Sequence, residues 1–129
     1  MTSLQAAALW IGLNAIFLIY ISWRVGKVRI RNKINLGDGG NEEMSRAIRT
    51  QGNYIEYAPL ALLGLLALAE LGLGAVYIHV LGAVFFLARI SHLLGLGVGV
   101  WPSGRFIGTL FTMLTLLATA LALFWKAFS

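Results

Sequence analysis

Four apolar runs, separated by short polar or glycine-rich stretches, organise the chain, and each is long enough to cross a hydrocarbon layer as a helix. The first covers about Leu4 to Trp23, with Asn14 and Ser22 as minor polar interruptions and Trp10, Tyr20 and Trp23 suited to membrane interfaces. Arg24 to Lys33 follows, carrying Arg24, Lys27, Arg29, Arg31 and Lys33 with no acid among them. Such charge sets topology, and the segment can also extend the first helix past the membrane, where Arg29 or Arg31 would turn toward a ligand. Asn35 to Glu43, NLGDGGNEE, combines turn formers with acids and reads as the soluble loop. Its GDGG follows no strand and lacks the lysine of a phosphate loop. The second run extends from about Glu43 to Leu71, about 40 Å as a helix, so its charged end should protrude from the bilayer. Pro59 is expected to kink it. The short turn Gly72 to Gly74 makes the second and third runs antiparallel neighbours. The third, about Ala75 to Leu94, contains His79, read as a core or interface histidine, and ends with Arg89 and His92 on one face. Gly95 to Gly104, GLGVGVWPSG, reads as a tight glycine-rich connection, and the fourth run begins at Arg105 and reaches Phe124, closed by Trp125 and Lys126.

The pattern predicts an all-α membrane protein, a four-transmembrane-helix bundle forming a single domain over residues 1–129. Composition agrees, because 59% of residues are hydrophobic, 12% are charged and the mean hydropathy is +0.82. The net charge of +5 belongs to residues beside the apolar runs, not to a folded basic surface. Nucleic acid is therefore not an expected partner, whereas membrane lipid is. The absence of cysteine excludes disulfides, thiolate metal sites and a cysteine nucleophile. No other pattern suggests a metal or a tightly held organic cofactor. The first run lacks a basic leader and is too long for a signal core, so it is expected to be retained. Four spans place both termini on one side, and the loops after the first and third runs hold nearly all the basic residues. Those loops are expected to face the cytoplasm.

Chemistry concentrates between Arg46 and Pro59, RAIRTQGNYIEYAP. Helical periodicity puts Arg46, Arg49, Asn53 and Glu56 within an arc of roughly 80°, with Tyr57 beside it. Singly, these groups could serve as glue between helices. Four on one face, at a membrane boundary that cannot solvate them, point to a site. Arg105 adds a cation in a helix's first turn, against the dipole, which calls for an anion: a ligand held with the free amides there, or a lipid phosphate met by snorkelling. Arg89, His92 and Arg105 gather at the same predicted cytosolic surface as the polar face of the second run.

At these residues the chain resembles the MAPEG family, the membrane-associated proteins in eicosanoid and glutathione metabolism, which includes microsomal glutathione transferases. Arg49, Asn53, Glu56 and Pro59 match its core pattern; Arg46, Gln51 and Tyr57 extend the match. Looser similarity takes in the basic end of the first run, the stretch from Ala88 and Arg89 to Gly95, and Arg105. The resemblance implies a homotrimer binding glutathione, as co-substrate, between protomers at the cytosolic side. Arg49, Asn53, Glu56 and Tyr57 would bind glutathione, Arg29 would meet one of its carboxylates, and Arg105 would stabilise its thiolate. Eicosanoid-synthesising members place tyrosines where this chain has His92 and Leu96, a departure from that activity. The GDGG loop and short chain look like the bacterial branch, which implies an inner-membrane protein.

The residues themselves fit such a ligand. Glutathione carries two carboxylates, an ammonium and a thiol, and Arg29, Arg46, Arg49 and Glu56 supply matching charges. Its reactive form is the thiolate, whereas a free thiol titrates near about 8.5. Lowering that by two units requires about 2.7 kcal/mol of preferential thiolate stabilisation, within reach of Arg105 and a helix N-terminus. The acceptor would be a lipophilic electrophile or lipid hydroperoxide arriving from the bilayer. Two other classes stay open at this point: a proton-coupled multidrug transporter, which wants a lone carboxylate near mid-bilayer, and a non-catalytic membrane scaffold packed through Gly64, Gly72, Gly82 and Ala83.

Overall fold

The structure, a computed structural model, describes residues 1–129 and consists of four helices with no strands. Helix α1 covers Ser3–Asn32. It starts in a reciprocal cap, in which the Gln5 amide donates to Thr2 Oγ1 at 3.1 Å and the Thr2 amide donates to Gln5 Oε1 at 2.9 Å. The basic segment after Trp23 continues this helix without a break. It ends at Lys33, whose left-handed backbone (φ 55°) turns the chain so that the Ile34 amide reaches the Arg29 carbonyl. Helix α2, Glu42–Glu70, is capped by Asn41, whose side chain accepts from the Met44 amide at 2.9 Å, and carries Glu42 and Glu43 in its first turn. It runs through Pro59, which withdraws an amide from the Ile55 carbonyl on an exposed face. A turn containing Gly72, in left-handed conformation (φ 76°), leads to α3, Ala75–His92.

The expected ten-residue connection after the third span is not a loop over most of its length. Residues Leu93–Val98 continue α3 as a π-helical turn, ended by Gly99 (φ 79°), and α4 occupies Ser103–Phe128. Glycines expected to form a tight connection instead allow backbones to meet. A Cβ at Gly104 would lie 2.5 Å from the Ser91 carbonyl oxygen, one at Gly108 would lie 2.5 Å from that of Ala88, and one at Gly95 would collide with the Arg105 amide nitrogen. Arg105 thus sits in the first turn of α4, pinned against the π-helical turn.

Helices α2 and α3 each touch every other helix, whereas α1 and α4 lie on opposite sides and do not meet. The core runs in layers along the bundle. Ala6, Ala7, Leu65, Leu68 and Ile78 fill one end, Phe17, Ile21, Tyr54, Ala58 and Phe85 the middle, and Val28, Met44 and Ala47 the basic end. Only 32 of 129 residues are buried, so Ile16, Leu60, Leu63, Leu117 and Leu121 face outward and require lipid or protein around them. All four helices are long and apolar enough to cross a membrane.

Candidate functional site

The polar face of α2 is built as its periodicity requires. Arg49 and Glu56, two turns apart, form a bidentate pair, with Nη1 donating to Oε1 at 2.9 Å and Nη2 donating to Oε2 at 3.2 Å. Both side chains remain about half exposed, so the pair is open to exchange with a ligand. Asn53, between them on the helix, points inward, where its Oδ1 accepts from Arg89 Nη2 at 2.6 Å. That leaves the Asn53 amide donors for another partner.

Arg89 is 1% exposed, yet no carboxylate bonds to it. Its Nη1 donates to Thr112 Oγ1 at 3.2 Å, its guanidinium lies 5.9 Å from the Tyr54 ring centre, and its Nε has no partner. Tyr54 is fixed in turn, because its hydroxyl donates to the Asn14 carbonyl and Oδ1, both at 3.1 Å, while Asn14 Nδ2 donates to the Trp10 carbonyl. One turn beyond Arg89, His92 is 2% exposed and its Nδ1 is also unpartnered. The bundle therefore encloses a guanidinium and an imidazole that each keep one buried nitrogen, Arg89 Nε and His92 Nδ1, without a partner in the chain.

Beside them lies a cavity of about 330 Å³ lined by Arg49, Asn53, His92, Leu96, Arg105, Phe106 and Thr109. Helices α2, α3 and α4 and the π-helical turn all contribute. Four of the residues expected from sequence, Arg49, Asn53, His92 and Arg105, meet here directly. Glu56 joins through Arg49 and Arg89 through Asn53. Arg46 stands at the edge, with Nε donating to Glu42 Oε1 at 3.0 Å and Nη1 reaching the Leu96 carbonyl at 3.5 Å. Tyr57 is half-buried next to Glu56 and outside the cavity lining. Arg29 does not join within one chain. Its Nη1 donates to the Gly37 carbonyl at 2.7 Å, beside a separate shallow depression formed with Gly26, Ile30, Lys33, Ile34 and Asn35.

The sequence reading missed Tyr54, Thr112 and the role of Asn14. Asn14 stands as an amide in the middle of an apolar span, but its partner Tyr54 lies 40 residues away. Thr112 belongs to a stripe of α4, Thr112, Thr115 and Thr119, buried at helical spacing. The Thr112 and Thr115 hydroxyls bond back to carbonyls one turn earlier, Thr112 also accepts from Arg89 on α3, and the Thr119 methyl packs against Gly64 on α2.

Residues 7–125 match the sequence model of the MAPEG family. The chain is 33% identical over 91 residues to the inner membrane protein YecN of Escherichia coli strain K12, an alignment covering 70% of each protein. It has the same identity and coverage with YecN of Escherichia coli O6:H1.

Proposed function

This chain belongs to the MAPEG family, and from that membership together with the cavity we propose that it is a glutathione transferase of the bacterial inner membrane. It would bind glutathione at the cytoplasmic boundary, hold it as a thiolate and deliver it to lipophilic electrophiles or lipid hydroperoxides. The observation that carries the reading is the charge of the site. Arg49, Arg89 and Arg105 bring three cations, and Glu56 brings the one carboxylate bonded among them, leaving two positive charges. Glutathione with its thiol ionised carries two carboxylates, a thiolate and an ammonium, hence two negative charges. The thiol form leaves one positive charge uncompensated, so the site favours loss of the proton. Glu56 meets the ammonium, Arg49 a carboxylate and Arg105 the sulfur.

Catalysis then consists of keeping a nucleophile ionised and oriented. With an electrophile, the sulfur lone pair forms a carbon–sulfur bond as the leaving group departs with its electrons. With a hydroperoxide, sulfur attacks the distal oxygen and keeps it as a sulfenic acid while the oxygen–oxygen bond breaks and the alkoxide takes up a proton; a second glutathione then displaces water to form the disulfide. A homotrimer is part of the proposal, because Arg29 lies apart from the cavity within one chain and the apolar outer faces leave room for neighbours. A proton-coupled transporter is less well supported, since Glu56 is held bidentately by Arg49 at the charged end of α2.

The test is conjugation of glutathione to an aryl halide by purified protein in detergent. Saturable product formation, reduced at least tenfold in Arg49→Gln, is expected. A folded sample that neither binds glutathione nor forms conjugate would sink the reading.

A further inference from the structure

Arg24 plays no part in the cavity, yet its guanidinium crosses from α1 to the end of α3. A π-helical turn leaves its final carbonyls without helical donors. Here two arginines approach successive ones, with Arg46 Nη1 at 3.5 Å from the Leu96 carbonyl and Arg24 Nη2 at 3.0 Å from that of Gly97. Gly97 has no room for a side chain. A Cβ there would lie 2.8 Å from Arg24 Nη1, 2.8 Å from a Leu93 methyl and 3.1 Å from the Thr50 hydroxyl. Side chains of α1 and α2, Arg24 and Thr50, therefore close directly on the backbone of this turn.

The same turn carries Leu96 into the cavity lining and presses Gly95 against the backbone of Gly104 and Arg105. Helix α1 has no contact with α4 of its own. We propose that Arg24 is a positioning residue: through the Gly97 carbonyl it fixes the π-helical turn, and through that turn it sets where Arg105 enters the cavity. For its catalytic consequence the proposal rests on the glutathione reading, whereas its structural consequence stands on the packing alone.

Two measurements on detergent-purified full-length protein separate these. In hydrogen exchange without ligand, Arg24→Ala is expected to speed exchange of the amides in the first turn of α4 by about tenfold, because the turn beneath them loses its tether. Ser22→Ala supplies the control. It removes another bond between α1 and α2, the 2.8 Å donation from Gln51 Nε2 to Ser22 Oγ, and should leave those amides unchanged. With saturating glutathione, Arg24→Ala should lose most of the thiolate absorbance and about tenfold in kcat, with KM for glutathione within about twofold. Arg24→Lys should recover part of both. If Arg24→Ala does not fold, Gly97→Ala displaces the same guanidinium and takes its place.

Unchanged exchange in α4 overturns the proposal whatever the activity. Faster exchange in α4 with parental thiolate absorbance and kcat overturns its catalytic half. A parent protein that shows no thiolate signal overturns the glutathione reading instead, and the exchange measurement still decides whether Arg24 sets the first turn of α4.

Discussion

Arg89 and Asn53 lie 36 residues apart in sequence and 2.6 Å apart in the structure, and their bond is the hinge between buried and exposed chemistry. Burying a guanidinium is costly and Arg89 Nε already lacks a partner, so removing Asn53 Oδ1 leaves a second buried donor unsatisfied. Asn53→Ala is expected to destabilise the protein by about 2 kcal/mol, and Asn53→Ala combined with Arg89→Met by less than the sum of the single changes. Unfolding in mixed micelles with increasing sodium dodecyl sulfate measures both. Glu56 works on ligand more than on fold, because its pair with Arg49 is half exposed. Glu56→Gln should therefore leave stability nearly unchanged while weakening glutathione by about 10- to 100-fold, the worth of one charge-assisted bond. Calorimetric titration reads that loss; unchanged affinity would remove Glu56 from the site. At this scale the sequence was legible where chemistry follows one helix's period, as for Arg49, Asn53 and Glu56. It was not legible where register between helices decides, as for Arg89 with Thr112 or Tyr54 with Asn14.

At the scale of elements, the four helices follow from their apolar length, and the extension of α1 through Arg24, Arg29 and Arg31 follows from the absence of proline or a turn signal before Lys33, with Gly26 the one poor helix former in it. The stretch from Gly95 to Gly104 was harder to read, because glycine serves a turn and a close backbone approach equally well. Its meaning came from the partner helix. Gly95, Gly104 and Gly108 bring α3 and α4 into backbone contact, which steers Arg105 toward His92 and Asn53. A methyl at Gly108 would meet the Ala88 carbonyl oxygen at 2.5 Å and the His92 nitrogen at 2.6 Å, and backbone atoms cannot rotate away. Gly108→Ala is expected to cost about 1–3 kcal/mol and to impair glutathione binding with it. Gly12→Ala is the comparison, since a Cβ there meets nothing within 4 Å and should be neutral or slightly stabilising. Thermal unfolding of the two variants side by side decides whether backbone contact, not glycine content, matters.

Taken whole, the molecule is a bundle with a charged end and two features that reach beyond one chain: Arg29, apart from the cavity, and outer faces rich in leucine and isoleucine. Native mass spectrometry is expected to find three copies, and a persistent monomer that binds glutathione would contradict the shared site. Orientation can be tested without background, because the chain has no cysteine. Asn35→Cys should react with a membrane-impermeant maleimide only from the cytoplasmic side, and Ser129→Cys only from the opposite side. Ionisation of glutathione in the cavity is proposed to depend above all on Arg105. Its most direct measurement is an ultraviolet difference spectrum of the parent protein and Arg105→Ala titrated with glutathione at neutral pH. A saturable thiolate band is expected in the parent and should be largely lost in the variant while glutathione still binds. A band of equal size in both, or none in a folded parent, would contradict that dependence.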